Sequence, residues 1–291
     1  MLLRLNLVTF LKFFYLKKLL TFFSVLAFFA AGDLSAQTLR RPVSSAYTGL
    51  GAYSNQHIDV FSFTSNQAAL AGLQSSAIGV FGERRFLLDE LNNFSAAVGL
   101  VTKSGNIGVK GNYFGSSDYN ETQLGLAYAR KLGQKLDVGV QFNYSALRIP
   151  TYGSASTISF EAGAIMHVTD KLLAGIHVSN PVGGKYGKNE EEKLSSLYAF
   201  GIGYDASEKF MISATIEKEE DQPVNVNAGF QYKFIKQLLV RAGFSSATSS
   251  YWAGVGLSLQ SFRLDLTSSF HPQLGVTPGL MIIYQFNAKK D

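Results

Sequence analysis

The 291-residue chain contains no cysteine, and its charged residues are scarce. The lack of cysteine excludes disulfides, zinc fingers, a thiol nucleophile and a lipoprotein anchor. Asp, Glu, Lys and Arg together make up 16% of the residues, compared with about 25% in an ordinary globular domain. Too few charges are therefore present to form the charged surface of a typical soluble protein.

The first 36 residues have the pattern of a secretory signal peptide. A basic stretch precedes the apolar run from Leu19 to Ala31, and small side chains precede a predicted cleavage after Ala36. An N-terminal anchor helix is the alternative, although the run is shorter than the roughly 20 residues that a membrane span requires. Cleavage would remove four basic residues and one acidic residue and lower the net charge from +5 to about +2. A nucleic-acid partner is therefore not predicted.

From Gln74 onward, the chain alternates between apolar and polar residues. In the segment Leu136–Ala146, the even-numbered positions carry Leu, Val, Phe, Tyr and Ala, whereas the odd-numbered positions carry Asp, Gly, Gln, Asn and Ser. Because successive side chains of a strand point to opposite faces, such a segment predicts a strand with one apolar and one polar face. Fourteen segments of this kind follow one another along the chain.

The polar face of these strands indicates what the apolar face touches. It carries mainly Gly, Ser, Asn, Gln and Thr, whereas the outer face of a soluble sheet meets water and is richer in charge. Tight turns alternate with longer loops, and aromatic residues lie near strand ends, as in outer-membrane barrels. The sequence therefore predicts an all-β fold: a transmembrane antiparallel up-and-down β-barrel of about 14 strands with lipid around it. A soluble secreted all-β protein is the alternative.

Residues 37–73 lack this alternation. They are rich in Ser, Ala and Gly, and residues 61–72 have the pattern of a small-residue segment that ends in a short helical turn. We predict that the segment threads into the barrel as a plug, and an unstructured periplasmic lead is the alternative. The predicted organisation is a cleaved signal peptide (1–36), an N-terminal plug or periplasmic lead (37–73) and an outer-membrane β-barrel (74–291).

Two short motifs resemble a known group of proteins. Residues 49–52 read Gly-Leu-Gly-Ala, and residues 66–71 read Asn-Gln-Ala-Ala-Leu-Ala, ahead of the alternating strands. This layout resembles the outer-membrane barrels of the long-chain fatty-acid transporter superfamily, most of all its PorV/PorQ-type proteins, some of which belong to type IX secretion. That family usually has Asn-Pro-Ala-Ala/Gly-Leu-Ala, so Gln67 replaces a proline. The resemblance implies fourteen strands and a plug, with the candidate plug residues Asn66, Gln67, Ala68 and Leu70.

Few charged residues have the parity of the polar, inward face. Because an unpaired charge away from water is unfavourable, we expect these residues to find partners, and the predicted register places Asp137 opposite Lys131. They either hold the plug and fill the lumen or form a selectivity constriction. The candidate lumen residues are Lys110, Asp137, Glu161, Glu217, Lys233, Arg241, Arg263 and Asp265.

No residue pattern predicts catalysis, a cofactor or a metal ion. His167 and His177 share the inward parity on neighbouring strands, but the predicted register separates them by four residues, about 13 Å along the strand. Serine is abundant, yet no spacing singles out a nucleophile with an adjacent histidine. The sequence therefore predicts a protein that is not an enzyme and has no cofactor.

Three functions are compatible with this reading. The main prediction is a non-enzymatic accessory or scaffold protein of PorV/PorQ type in protein secretion, because the longest predicted outer loop is only Asn180–Lys193. The alternative is a passive outer-membrane channel for small hydrophobic molecules, gated by residues 37–73. A break in a strand at Gly111, or at Gly201 and Gly203, would give such molecules a lateral exit to lipid. An outer-membrane lipid enzyme is the third. The expected partners are outer-membrane lipid, secretion components or a small apolar ligand.

Overall fold

The computed structural model describes residues 43–150, 152–183, 185–186 and 192–286. The predicted signal peptide and the first residues of the predicted plug lie outside these ranges. Among the residues described, no helix combines the length and the apolar character needed to cross a membrane.

A closed antiparallel barrel of fourteen strands forms most of the described chain. Neighbouring strands of the barrel follow one another along the sequence, except for one pair that is separated by a short hairpin, and the first strand pairs with the last to close the barrel. Two further strands, β8 and β9, form a small hairpin in the connection between β7 and β10. The fold therefore confirms the predicted up-and-down barrel. The strands are β1 (Ala77–Arg84), β2 (Asn92–Leu100), β3 (Asn106–Gly115), β4 (Asn120–Leu132), β5 (Leu136–Ile149), β6 (Gly153–His167), β7 (Leu172–Ser179), β8 (Lys185–Tyr186), β9 (Glu192–Lys193), β10 (Leu197–Asp205), β11 (Phe210–Glu219), β12 (Asn225–Lys233), β13 (Leu238–Ser245), β14 (Ser250–Leu259), β15 (Phe262–His271) and β16 (Gly275–Gln285).

The connections define two ends of the barrel. Tight turns such as residues 133–135 lie at the short-turn end, and the connection between β7 and β10 lies at the opposite, long-loop end. The contrast is weaker than predicted. The sequence pattern indicates one of the longer loops from His271 to Val276, but the connection has only three residues, because β15 extends through His271 and β16 begins at Gly275.

The register agrees with the sequence at most tight turns. If residues that flank a tight turn pair directly, Leu132 is expected opposite Leu136 and Leu259 opposite Phe262, and both pairs are present. The same rule places Tyr204 opposite Phe210, but Tyr204 pairs with Ile212. The connection after β10 spans four residues, 206–209, and is longer than the predicted turn. The slip is two residues, so every side chain still faces the predicted way.

The large apolar side chains lie on the outside of the barrel. On β5, Phe142 is 57% exposed and Tyr144 is 50% exposed, whereas Gln141 and Asn143 between them are buried. The same alternation recurs around the wall. An apolar outer band that surrounds a polar interior is the arrangement that lipid covers.

Residues 43–73, here called the lumen segment, lie inside the barrel. The segment begins with the short helix α1 (Ser45–Leu50) and continues through 3-10 turns at Asn55–His57, Ser62–Thr64 and Gln67–Gly72. Its apolar side chains pack on inward residues of the wall; for example, Phe61 and Leu70 share a buried cluster with Ala97 and Met281. The segment therefore supplies much of the core that the strands alone would lack.

Candidate functional site

The first anchor of the lumen segment is a buried ion-pair network. Arg263 of β15 donates to Asp59 of the lumen segment with an Nη2–Oδ2 distance of 2.5 Å. Tyr47 donates its hydroxyl to the same carboxylate oxygen. Asp265 lies 2.9 Å from Arg263 and 2.9 Å from Arg241 and links them. The network connects the segment to β13 and β15 through charged groups that water scarcely reaches.

The protonation of two lumen-segment residues follows from this surrounding. Burial alone would raise the pKa of Asp59, but the Arg263 guanidinium, His57 and the hydrogen bonds from Tyr47 and Arg263 together outweigh burial and bring the pKa down to about 2. Burial, reinforced by the positive charge of Arg241, lowers the pKa of His57 to about 3. At neutral pH, Asp59 is therefore a carboxylate and His57 is uncharged. Within the described chain, neither ring nitrogen of His57 has a hydrogen-bond partner.

The second anchor joins the predicted motif to the opposite wall. The Gln67 amide donates to the Glu161 carboxylate of β6. Glu161 also accepts a hydrogen bond from Asn143 at 2.6 Å and lies 3.3 Å from the Nε2 atom of His177. Lys110 of β3 is buried close to Asn143, since a Cβ atom on Gly125 would lie 2.9 Å from the Lys110 Cε atom and 2.7 Å from the Asn143 Oδ1 atom. Gln67 at the usual proline position thus makes a side-chain contact that proline cannot make.

Asn66 fixes the backbone of the same motif. Its side-chain oxygen accepts from the Ala68 N–H at 3.0 Å, and its amide donates to the Ile176 carbonyl of β7 at 2.9 Å. Ala68 and Leu70 are fully buried in the turn that follows. One side chain therefore caps the turn and attaches it to the wall.

A third anchor lies at the short-turn end, where Asp205 ends β10. Its carboxylate accepts hydrogen bonds from the Ser54 hydroxyl and, at 3.1 Å, from the Asn55 N–H. Nearby, Asn106 at the start of β3 donates to the Leu70 carbonyl at 2.8 Å. The lumen segment is thus held by polar contacts on several sides of the barrel.

The structure unites some of the predicted lumen charges and separates others. Arg241, Arg263 and Asp265 belong to the first anchor, and Lys110 and Glu161 belong to the second. Asp137 pairs across from Lys131 in the predicted register, but its carboxylate contacts His167 at 2.9 Å. Glu217 accepts from Asn225, and Lys233 is partly exposed at the end of β12.

Several anchor residues were missed by sequence reasoning. Tyr47, Ser54 and Asp59 lie where no periodicity marks the inward side, and Asp205 is the last residue of its strand. The alternation of Gly201, Gly203 and Asp205 could have indicated a contact with another segment, because two inward glycines leave space for another part of the chain.

None of the three glycines considered as candidates for a lateral break interrupts its strand. Gly111 pairs with Ala96 on one side and with Leu124 on the other. Gly201 and Gly203 of β10 each pair with one residue of β7 and one residue of β11. A Cβ atom on Gly201 would lie 1.8 Å from the Cε2 atom of Tyr53, and one on Gly203 would lie 2.0 Å from the Tyr53 carbonyl oxygen. These two glycines make room for the lumen segment rather than interrupt the wall.

A cavity of about 190 Å³ lies at the long-loop end between α1 and the wall. We call it the vestibule. Most of its lining residues carry a hydroxyl or amide group, and the indole of Trp252 is also part of the lining. A Cβ atom on Gly49, Gly229 or Gly243 would lie less than 3 Å from this ring. Ser44, Thr48, Asn227, Ser245, Trp252 and Ser269 are among the residues that line the vestibule.

Comparisons with known proteins were informative only at the level of structure. No protein-family model matches the chain, and no curated protein matches it. Among solved structures, the CymD monoaromatic hydrocarbon channel has a TM-score of 0.62 at 12% identity and covers 84% of this chain and 97% of its own. The structure of a Pseudomonas aeruginosa FadL homologue has a TM-score of 0.62 at 12% identity, and the match covers 88% of this chain and 100% of the homologue. The Ralstonia pickettii toluene transporter TbuX has a TM-score of 0.59 at 14% identity, and the match covers 85% of this chain and 98% of the transporter.

These likenesses show the fold. That fold is the one that the resemblance in the sequence implied, and none of these structures points to the PorV/PorQ-type subgroup.

Proposed function

We infer that the protein is a passive outer-membrane channel for small hydrophobic molecules and that the lumen segment is its gate. The observation that carries this proposal is the buried contact between Asp59 and Arg263, which fixes the segment inside the barrel by a reversible interaction. Two of the similar structures are a monoaromatic hydrocarbon channel and a toluene transporter, and they support the proposed class of transported molecule. We also propose that the signal peptide is cleaved after Ala36 and that the long-loop end of the barrel faces the outside of the cell.

The anchors explain why such a gate can both close and open. Apolar contacts of Phe61, Phe63 and Leu70 make the closed arrangement compact. The polar anchors determine its position, because each needs one specific partner on the wall. When the segment is displaced, water replaces these wall partners. Opening therefore breaks only the contacts between the segment and the wall and leaves the strand pairing of the barrel in place. Passage requires this displacement, because the segment occupies the lumen.

The role in protein secretion that the sequence favoured is not retained. It depended on the PorV/PorQ-type resemblance and on short outer loops, and the solved structures support the hydrocarbon-channel alternative instead. Catalysis is not proposed either. In the parts of the chain that the structure covers, no three His, Cys, Asp or Glu side chains are grouped to hold a metal ion.

The absence of cysteine allows a direct test of the gate. Leu50 of α1 lies beside Gly229 of β12, since a Cβ atom on Gly229 would be 3.1 Å from the Leu50 Cδ2 atom. We expect the variant Leu50→Cys/Gly229→Cys to join α1 to the wall on oxidation. Initial uptake of radiolabelled toluene is measured in Gram-negative host cells that produce the wild type, the oxidised variant, the reduced variant or no channel.

The expected result is uptake by the wild type, uptake by the reduced variant equal to that of Gly229→Cys alone, whose new Cβ atom crowds the Trp252 ring, and uptake at the level of the empty host after oxidation. Each single-cysteine variant serves as the matched control, because it carries one substitution and forms no crosslink. Wild-type uptake equal to that of the empty host would exclude a toluene channel. Equal uptake before and after oxidation would exclude α1 as part of the gate.

A further inference from the structure

Three buried polar atoms without partners meet at the vestibule. They are the Ser44 Oγ atom, the Asn227 Nδ2 atom and the Trp252 Nε1 atom, and none has a hydrogen-bond partner among the residues described. Asn227 is fully buried and Trp252 is 5% exposed. The amide nitrogen and the indole nitrogen can only donate. Two unused donors therefore belong to the lining of one small cavity.

The lumen segment accounts for their isolation. A Cβ atom on Gly49 would lie 2.3 Å from Trp252 Nε1, so α1 covers the indole N–H directly. Gly229 and Gly243 of the wall form the other side of the slot that holds the ring. Because a buried donor without an acceptor is unfavourable, the closed arrangement is penalised at this point. A shift of α1 would uncover the donors and allow an acceptor to reach them.

The other residues that line the vestibule limit which kind of molecule can provide that acceptor. Glu83 and Arg85, the charged residues at this cavity, lie 3.0 Å apart and pair with each other. A charged ligand would have to compete with this pair. Hydroxyl groups of Thr48, Ser245 and Ser269 add further polar contacts around an aromatic floor. A bare hydrocarbon would leave both donors unpaired.

We propose, on the basis of the channel function above, that the vestibule binds a small uncharged molecule with an apolar body and one hydrogen-bond acceptor oxygen. When α1 shifts, this oxygen accepts from Asn227 Nδ2 and Trp252 Nε1, and the apolar body packs on the indole. A site with dedicated donors discriminates strongly against an analogue that lacks the acceptor. The channel therefore prefers oxygen-bearing molecules, such as an aromatic alcohol, over the corresponding hydrocarbon.

The single tryptophan of the chain makes the binding step observable. Indole fluorescence of the purified full-length mature protein in detergent is titrated with benzyl alcohol and with toluene, which share a ring and differ in the acceptor. The expected result is at least about tenfold tighter binding of benzyl alcohol, the ratio that one well-made hydrogen bond supports. Equal affinity of the wild type for the two compounds would overturn the proposal.

Two variants assign the preference to the vestibule. Asn227→Leu removes one donor and keeps the branching and the number of side-chain heavy atoms, and Asn112→Leu makes the same change at a half-buried asparagine on β3 that does not line this cavity. We expect the preference to fall several-fold in Asn227→Leu and to persist in Asn112→Leu. Trp252→Phe, followed by titration calorimetry, should lower it as well. A preference unchanged in both vestibule variants would place binding elsewhere.

The outcome is separable from that of the channel proposal. Heat-modifiable migration on gels identifies the variants that have formed the barrel, and only these are titrated. Toluene uptake that responds to the α1 crosslink, together with equal binding of the two compounds, retains the channel and rejects the vestibule site. Selective binding without any uptake retains the site and rejects the channel.

Discussion

Arg263 on the barrel wall and Asp59 in the lumen segment form a buried ion pair in which the carboxylate side chain is 1% exposed and the guanidinium side chain is 17% exposed. Removing one partner of such a pair is more harmful than removing both, because the remaining charge stays buried without compensation. This asymmetry turns the ion pair into a test of how the lumen segment is held.

We expect Arg263→Met to loosen the lumen segment and weaken its docking by about 3 to 5 kcal/mol, the usual loss when a buried pair is broken. Small-solute permeation, measured by liposome swelling, should rise several-fold. In the double variant Asp59→Asn/Arg263→Met, no unpaired charge remains, and permeation should return part of the way to that of the wild type. If the single and double variants leak equally, the ion pair does not couple the segment to the wall.

His57 predicts a response to acid. Neither His57 nor Asp59 belongs to a membrane-spanning strand. In the docked state the pKa of His57 is lowered to about 3, whereas an undocked, hydrated histidine has a pKa of about 6.5. Between these values the undocked state binds the extra proton, so docking weakens as the pH falls from about 6.5 towards 3. Asp59 adds to this weakening only below about pH 4, since its docked pKa is about 2.

Liposome swelling measured between pH 7 and 4.5 tests this response. We expect the wild type to leak more as the pH falls, and we expect His57→Phe, which can still pack on the Tyr47 ring, to lose the dependence. The same pH profile in both proteins would show that another group is responsible.

How far the sequence predicted this molecule depends on whether a feature repeats along the chain. The alternation of Leu136–Ala146 recurs in each strand, so strand number, facing and most of the register followed from the period of two. The lengths of the turns could not be predicted from this period in every case, and the pairing of Tyr204 is an example. Its pairing shifted by two residues because the following connection is longer than predicted, although its facing remained correct.

The partners of the lumen charges could not be predicted in the same way. Asp59 and Arg263 are 204 residues apart, and their contact depends on how an aperiodic segment folds inside a closed wall. Glu161 and Arg241 were identified as inward residues because their strands set their parity. Trp252 has the same inward parity, but its importance comes from three glycines on different elements that meet only in the folded chain.

The outward facing of the apolar residues predicts where a charge is least tolerated. Val140 points to lipid in the middle of β5, and we expect Val140→Arg to lower the free energy of unfolding by about 2 to 4 kcal/mol. Gln134→Arg, in the exposed turn between β4 and β5, is the matched control and should change it by less than about 0.5 kcal/mol. Denaturant unfolding in lipid vesicles provides the measurement. Equal losses in the two variants would contradict the facing.

Gln141, the inward neighbour of Val140, is not a suitable site for the control. Gln141 is fully buried, and its amide donates to Asn143 and Glu161. An arginine there would displace the second anchor and test the lumen segment instead of the lipid face.

Gly201 offers the most selective way to disturb the lumen segment without altering the lipid face. A methyl group at this position would overlap the Tyr53 ring, with 1.8 Å between the new Cβ atom and Cε2. We therefore expect Gly201→Ala to displace Tyr53 and to raise liposome permeation. Gly111→Ala is the matched control, because its Cβ atom would meet only the Leu124 Cδ2 atom at 3.6 Å, an ordinary contact. Its permeation should equal that of the wild type.

A second substitution separates steric displacement from damage to the strand. In Gly201→Ala/Tyr53→Ala the overlapping ring is gone, so the new methyl group has space and the ladder of β10 with β7 and β11 is undisturbed. If the ring is what transmits the effect, the double variant should leak no more than Tyr53→Ala alone. Additive leakage in the double variant would mean that alanine disturbs the strand itself. Glycine at position 201 would then be required by the barrel wall and not by the lumen segment.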